Sequence, residues 1–403
     1  MESTRSLRSW QLPDGIDELL PGAARHVEML RRRLLDCAEG WGYELVIPPM
    51  LEFTDSLLHG VGEDLDLLTF KVPDQLSGRM LGFRADITPQ VARMDAHSIG
   101  SKDATRLCYA GTILHTRSGS LASSRSPIQL GAEVFGAAGP EADLEVIALM
   151  LSMMEAAGLR LDHGITLDLG HADLFRHLVV AADCADTALE LDLLDALQRK
   201  SVPDLKDLMQ QLSSRAANWF WDLLALRGDC RILQQAQQQL SGIAEPVDAA
   251  LSQLNQLAAT VQARYPQLAL YIDLAELRGY RYHTGVVFAL YAQRLGEALA
   301  RGGRYDNIGA AYGRARAATG FATDLRLVAA LTDAPEQQKN AIAAPRQQQA
   351  GLIQAIQKLR AAGEIVIVSL DGDHDARCNR QLKLTDGSWS VENLEGSSVE
   401  SEV

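Results

Sequence analysis

Two polar side chains, Gln129 and Glu133, stand in the otherwise apolar stretch IQLGAEVFG, and both need partners. An unpaired buried carboxylate is costly, so Glu133 must meet donors or a cation. Their spacing of four puts both on one face of a strand, where they can jointly hold a cationic group. This strand closes a segment from Arg106 to Gly136 that opens on RLCYAGTIL, apolar and β-branched in character. Between the two strands the chain is rich in Ser and Gly, the composition of an exposed hairpin loop.

Other chemistry-bearing patterns are weak. The five cysteines, Cys37, Cys108, Cys184, Cys230 and Cys378, form no CxxC pair. That argues against structural zinc or a disulfide framework and fits a reducing cytoplasm. The histidines have no HExxH spacing, and Asp371-Gly372-Asp373-His374-Asp375 reads as a turn, not a calcium loop. No metal and no cofactor is expected. Gly60-Val61-Gly62 is half of a dinucleotide fingerprint without its preceding strand, and reads as a turn.

Composition narrows the partners. The chain has 403 residues, 47% of them hydrophobic, as in an ordinary globular protein of two or three domains. Its net charge is −14 and its pI about 5.1. Nucleic acids are bound mainly by Lys and Arg neutralising phosphates, so no nucleic-acid partner is expected. MESTRSLRSWQLPDG has no apolar core, hence no secretory signal is expected. The most apolar run, Val146 to Met154, is too short to span a bilayer. The expectation is a cytoplasmic protein with no membrane contact.

The elements that must position Gln129 and Glu133 follow in chain order. Residues 1–10 read as a disordered lead-in. A helix is predicted from Ala23 to Glu39, with Arg31, Arg32 and Arg33 on its solvated face. YELVIPPMLE reads as one strand stopped by its prolines. LLTFKVPD and RMLGFRAD read as a hairpin, and ITPQVARMDA as a helix with Thr88 as N-cap. After the central hairpin, EADLEVIALMLSMMEAAGL is a core helix, its methionines filling gaps. GITLDLGH is a strand. Residues of about 181–264 read as an all-helical insertion in a mixed body spanning 11–332. LALYIDLAEL and RGYRYHTGVVFALYAQ are read as strands, RGGRYDNIGAAYG as a glycine-rich connection and TGFATDLRLVAAL as a closing helix. Residues 333–349 read as a linker. A small unit at 350–395 carries a helix and three strands, two of them about the Asp386-Gly387 turn. Residues 396–403 read as a disordered tail.

Several of these pieces, in order, resemble the core of class II aminoacyl-tRNA synthetases, specifically the histidyl enzyme. YELVIPPMLE is similar to the motif 1 strand at the dimer interface, and FRADITPQVAR to the Arg-Pro-Glu-Gly-Thr segment. The hairpin ending in IQLGAEVFG is similar to motif 2. LRGYRYHTGVVF and GGRYD resemble two stretches peculiar to histidyl enzymes, and GRARAATGFATDL the approach to motif 3. The resemblance covers about Leu12 to Leu331. It implies an α+β fold, an antiparallel sheet with flanking helices, followed here by a small C-terminal α/β unit.

The departures from that family bear on function. Amino-acid activation needs arginines that stabilise charge developing on ATP. At motif 2 the Arg and Glu positions carry His115 and Arg117, and at motif 3 they carry Arg326 and Leu327. An Arg one place along a helix points about 100° away, so Arg326 is not expected to substitute. Adenylation should be lost, and nothing resembles the anticodon-binding domain. The amino-acid pocket is kept by resemblance: Asp86, Thr88, Gln129 and Glu133 about an α-amino group, Tyr282 and His283 beside the imidazole, and Arg278 surviving from the Leu-Arg-Gly stretch. Plainer readings stand beside these. Asp86 and Glu133 can pair with Arg84 and Arg93 in the core, His283 can be a satisfied core residue, and Gly302-Gly303 a tight turn.

A synthetase-like body without adenylation residues or anticodon domain resembles the regulatory subunits of ATP phosphoribosyltransferase. That family implies no catalysis by this chain. It implies a homodimer within a hetero-oligomer with the short-form catalytic subunit, and histidine as effector at the first step of histidine biosynthesis. The rival readings are a divergent synthetase and a tRNA-binding regulator.

Overall fold

The computed structural model describes residues 11–60, 62–118, 124–185, 187–280, 282–334, 340–346, 350–370 and 375–394. The expected lead-in, the tail, the tip of the central hairpin and most of the acidic run at 371–375 lie outside them. The chain divides into two compact units, Met1–Ala334 and Pro335–Val403.

The first unit is built on strands β1 (Glu44–Leu45), β2 (Leu51–Phe53), β3 (Lys71–Pro73), β4 (Met80–Phe83), β5 (Thr105–Thr112), β6 (Ile128–Phe135), β7 (Ile165–His171), β8 (Arg227–Gly228), β9 (Ala269–Asp273), β10 (Val286–Ala292), β11 (Ala298–Arg304) and β12 (Ala318–Asp324). Among the described residues nine of them make one sheet, in the order β1-β5-β6-β12-β11-β10-β7-β9-β8. Its pairs are antiparallel except β1 with β5 and β7 with β9. The core lies where this sheet meets the helices Pro21–Gly40 and Pro140–Ala156. Val27, Leu30, Leu34 and Ala38 form the buried stripe of the first, and residues Val146 to Leu151 of the second are wholly buried. A helix buried all round is apolar all round, which the methionine-rich sequence satisfies.

Several elements differ from expectation. YELVIPPMLE is two strands, because the backbone leaves the large sheet at Pro48-Pro49. β1 pairs with β5, whereas β2 joins β4 and β3 in a separate three-stranded sheet. The aromatic-rich strand starts only at Val286, so Tyr282 and His283 sit on the turn that precedes it. TGFATD is strand β12, in the middle of the sheet, and the helix begins at Leu325. Gly302-Gly303 is no turn but the interior of β11. A Cβ on Gly302 would stand 2.3 Å from the Gly320 carbonyl, so its lack of side chain serves close packing. The insertion carries the helices Ala188–Gln198, Val202–Leu208, Ser214–Ala225, Arg231–Leu240 and Glu245–Arg264, together with the short β8.

In the second unit, strand β13 (Ala341–Ala344) arises inside the stretch read as a linker. Its four residues, three alanines and Ile342, are all buried and lack the alternation that marks a strand. β13 lies between β14 (Val366–Val368) and β15 (Cys378–Thr385), and β16 (Ser388–Asn393) completes the order β14-β13-β15-β16. The helix Ala350–Ala361 packs Leu352 and Ile356 with Ile342, Val366 and Leu382. Asp386 and Gly387 take φ of 51° and 80°, the left-handed pair that a two-residue hairpin turn requires.

Candidate functional site

Glu133 projects from the middle of β6, in register with Leu107 on β5 and Gly320 on β12. A Cβ at Gly320 would lie 1.5 Å from Glu133 Oε2, so the carboxylate occupies space that only glycine leaves open. Oε1 accepts from the hydroxyls of Thr88 and Tyr109, each at 3.0 Å, and Oε2 from the hydroxyl of Tyr305. The core arginines are engaged elsewhere. Arg84 donates to the carbonyls of Pro48 and Thr112 at 2.8 and 2.9 Å, and Arg93 to Glu52 at 2.7 Å. Hydroxyls therefore replace the ion pair that the plainer reading requires.

Three hydroxyls supply hydrogen bonds but no countercharge. Burial pushes the Glu133 carboxyl up to about 8, although the bonds from Tyr305, Tyr109 and Thr88 pull the other way. The tyrosines are held well above their ordinary range by burial and by that carboxylate, so they stay donors. A cation delivered beside Glu133 would supply the charge that the fold withholds.

Asp86 extends the site. Its Oδ1 accepts from Gln129 Nε2 at 2.8 Å and from the Thr88 amide at 3.0 Å. Gln129 Oε1 in turn accepts from the Ile87 amide at 2.9 Å. Thr88 is not the N-cap that its sequence suggests. The helix Thr88–Arg93 starts on Thr88 itself, and the hydroxyl faces Glu133 instead of the helix end. The Tyr282 ring stacks on Tyr305, with centroids 5.1 Å apart, and its buried hydroxyl has no partner among the described residues. His283 directs Nδ1 to the Arg304 carbonyl at 3.1 Å, and burial depresses it to about 4. It is a neutral ring with one nitrogen satisfied by the backbone, as the plainer reading had it, yet it also lines the cavity.

That cavity, about 730 Å³, brings together Asp86, Thr88, Gln129, Glu133, Tyr282 and His283. Arg278 is not brought in. It sits on the exposed turn before Gly279 with its side chain 61% exposed, held by Glu276 and by Tyr291 at 3.2 Å. Two residues were missed, Tyr109 and Tyr305. The alternation of RLCYAG puts Tyr109 on the face of Leu107, hence of Glu133, opposite the empty position at Gly131. Tyr305 follows directly on the strand ARGGR, whose register could not be read from a stretch taken as a loop.

A second group of polar residues lines the same cavity, among them Asp17, His115, Arg117, Arg301 and Arg326. Arg326 lines it together with Asp324, Leu327 and Ala330 of the helix Leu325–Leu331 and the residue before it. Its guanidinium is held by the Asp17 carboxylate, which also accepts from Ser124 at 2.7 Å. His115 turns Nε2 to the Ala85 carbonyl at 2.9 Å. No helix among the described residues is long and apolar enough to cross a membrane.

The family profile described as Histidyl-tRNA synthetase matches residues 15–328. That described as ATP phosphoribosyltransferase subunit HisZ C-terminal domain matches residues 339–392. An ATP phosphoribosyltransferase regulatory subunit of Pseudomonas paraeruginosa is 49% identical over 388 residues, 95% of this chain and 97% of that one. A solved ATP phosphoribosyltransferase regulatory subunit/histidyl-tRNA synthetase from Bacillus halodurans superposes with a TM-score of 0.79 at 27% identity, over 91% of this chain and 94% of the other. Histidyl-tRNA synthetase from Nostoc shares the fold, with a TM-score of 0.74 at 16% identity over 95% and 94% of the chains. With a class II histidyl-synthetase-like body and near-full-length identity to these relatives, the chain belongs to the family of ATP phosphoribosyltransferase regulatory subunits.

Proposed function

We propose that this chain binds histidine at Glu133 and conveys its presence to the catalytic subunit of ATP phosphoribosyltransferase, performing no chemistry of its own. The observation that carries the reading is a buried carboxylate ringed by hydroxyls and lacking a cation among its described partners. Asp86 and Gln129 stand beside it, as a receptor for an amino acid's ammonium or imidazolium requires. A ligand shifts such a complex only through its differential affinity for the states, a coupling of about 1–3 kcal/mol.

Assembly through the motif 1 region as a homodimer is part of the same reading. It is supported by the exposed apolar run Leu45, Ile47, Met50 and Leu51, with Ile47 77% exposed. The decisive experiment co-purifies this chain with the catalytic subunit and follows phosphoribosyl transfer with and without L-histidine. Inhibition that requires this chain supports the reading. Histidine-dependent pyrophosphate exchange by the isolated chain at synthetase-like rates would sink it in favour of a divergent synthetase.

A further inference from the structure

The turn that carries Tyr282 and His283 has a back side, and helices of the insertion region pack on it. The carbonyls of Tyr280 and His283, which bracket Tyr282, both accept from Nη2 of Arg176, each at 3.0 Å. Arg176 belongs to the helix Ala172–Ala181, which leads into the insertion, and pairs with Asp173 on the same helix. Its guanidinium also lies over the Tyr280 ring, 4.8 Å from the centroid. That ring meets Phe175 edge-on at 5.1 Å, and its hydroxyl donates to Glu190 at 2.9 Å. Gln198 Nε2 donates to the Leu277 carbonyl at 2.8 Å. Tyr280 is thus packed by the insertion side, whereas Tyr282, two residues on, stacks on the Tyr305 that donates to Glu133.

We propose that Arg176, acting with Tyr280, is a positioning residue for the effector pocket. It braces the turn bearing Tyr282 and His283 from the helix that leads into the insertion, while Tyr280, bonded to Glu190, links that turn to the insertion itself, so that effector binding and placement of the insertion are coupled. The inference rests on the reading that an amino acid binds at Glu133. One guanidinium nitrogen on two carbonyls fixes their separation, and with it the direction in which Tyr282 leaves the backbone. Neither Arg176 nor Tyr280 lines the cavity, so changing either removes no contact to a ligand. The coupling is reciprocal: a ligand that favours one placement of Tyr282 favours the matching placement of the insertion by the same free energy.

The test uses the full chain, alone and with its catalytic subunit. L-histidine binding is titrated calorimetrically, and phosphoribosyl transfer by the complex is measured across histidine concentrations. Arg176→Ala is expected to weaken histidine binding about tenfold, within the usual range of coupling. The histidine needed for half-inhibition should rise by the same factor, with assembly and the uninhibited rate unchanged. Arg176→Lys, which keeps the charge but not the planar fork, should recover part of the loss. Tyr280→Phe, which keeps the ring and loses only the bond to Glu190, should give a smaller shift in the same direction, and it remains informative if Arg176→Ala fails to fold. A purely structural role would lower the melting temperature and the uninhibited rate while the folded protein kept its histidine affinity, and that outcome overturns the proposal. Wild-type affinity in both variants overturns it as well. If the unaltered chain binds no histidine, the reading beneath falls and this inference with it; if it binds and the variants match it, this inference falls alone.

Discussion

One cavity holds two groups of polar side chains that differ in whether their partners include an opposite charge. Asp86 and Glu133 accept from a side-chain amide, a backbone amide and three hydroxyls, with no cation among their described hydrogen-bond partners. Arg326, by contrast, is neutralised within the chain by Asp17, and the His115 ring is turned onto a carbonyl. An acidic group left without countercharge recruits a cation. A basic group already paired has less to offer an incoming phosphate. Within this cavity Arg326 is thus the arginine whose charge the chain itself offsets.

The sharpest way to break this comparison is Glu133→Ala. It should abolish histidine inhibition while the complex still assembles by size-exclusion chromatography. Truncating one partner of a buried charged contact costs about 2–5 kcal/mol, and at about 1.4 kcal/mol per decade the affinity should fall by roughly 30- to 3,000-fold. Persistent inhibition would place the effector elsewhere, for instance on the catalytic subunit.

Next in size is a pH effect. A ligand cation favours the ionised form of Glu133, whose carboxyl stands near 8 in the free chain. Histidine affinity, followed by titration calorimetry, should rise about tenfold per unit as the pH approaches 8 and then level, with a proton released on binding. Stability of the free chain should run the other way. The folded state holds this proton to higher pH than the unfolded one, so the contribution is full below about 4.5 and lost as pH rises through about 8. An affinity independent of pH between 6 and 8, values that bracket the neutral range, would show that Glu133 does not change charge on binding.

Gly320→Ala sharpens the same side by steric means. The added methyl would overlap Glu133 Oε2, and overpacking of this kind costs about 1–3 kcal/mol, read as a lower denaturant midpoint together with lost histidine binding. The smallest effect is expected at Arg326→Ala. Its Asp17 partner is 54% exposed, and such pairs contribute about 0–1 kcal/mol. Histidine affinity should be unchanged. A loss comparable to that at Glu133 would mean that the two groups act as one site.

The legible part of the site was the part with a polar residue in an apolar strand, since burying Gln129 and Glu133 forces a partner. What could not be read were the partners themselves. Tyr109 and Tyr305 are ordinary aromatics until register places one across from Gly131 and the other at the end of β11. Strand β12 was hidden because ATGFATD runs directly into the helical LRLVAAL, and a short strand with small residues shows no period of its own. Arg278 illustrates the opposite failure. Its place in the sequence matches the motif, but the turn at Gly279 leaves it facing Glu276 and solvent. The C-terminal hairpin was legible from its Asp-Gly turn, whereas β13 was not, being three alanines and one isoleucine between Gln-rich stretches.

The order of strands in the large sheet also constrains how the chain is made. β6 and β10 are separated in the sheet by β12 and β11, which are the last of its strands to leave the ribosome. Without β11 and β12 the large sheet would be two partial sheets, with β6 and its Glu133 at the edge of one and β10 at the edge of the other. The β11–β12 hairpin then closes both edges at once and brings Tyr305 and Gly320 to the carboxylate. The surroundings of Glu133 are thus completed only by the late strands, and a truncated product that stops within the helical insertion would lack Tyr305 and Gly320.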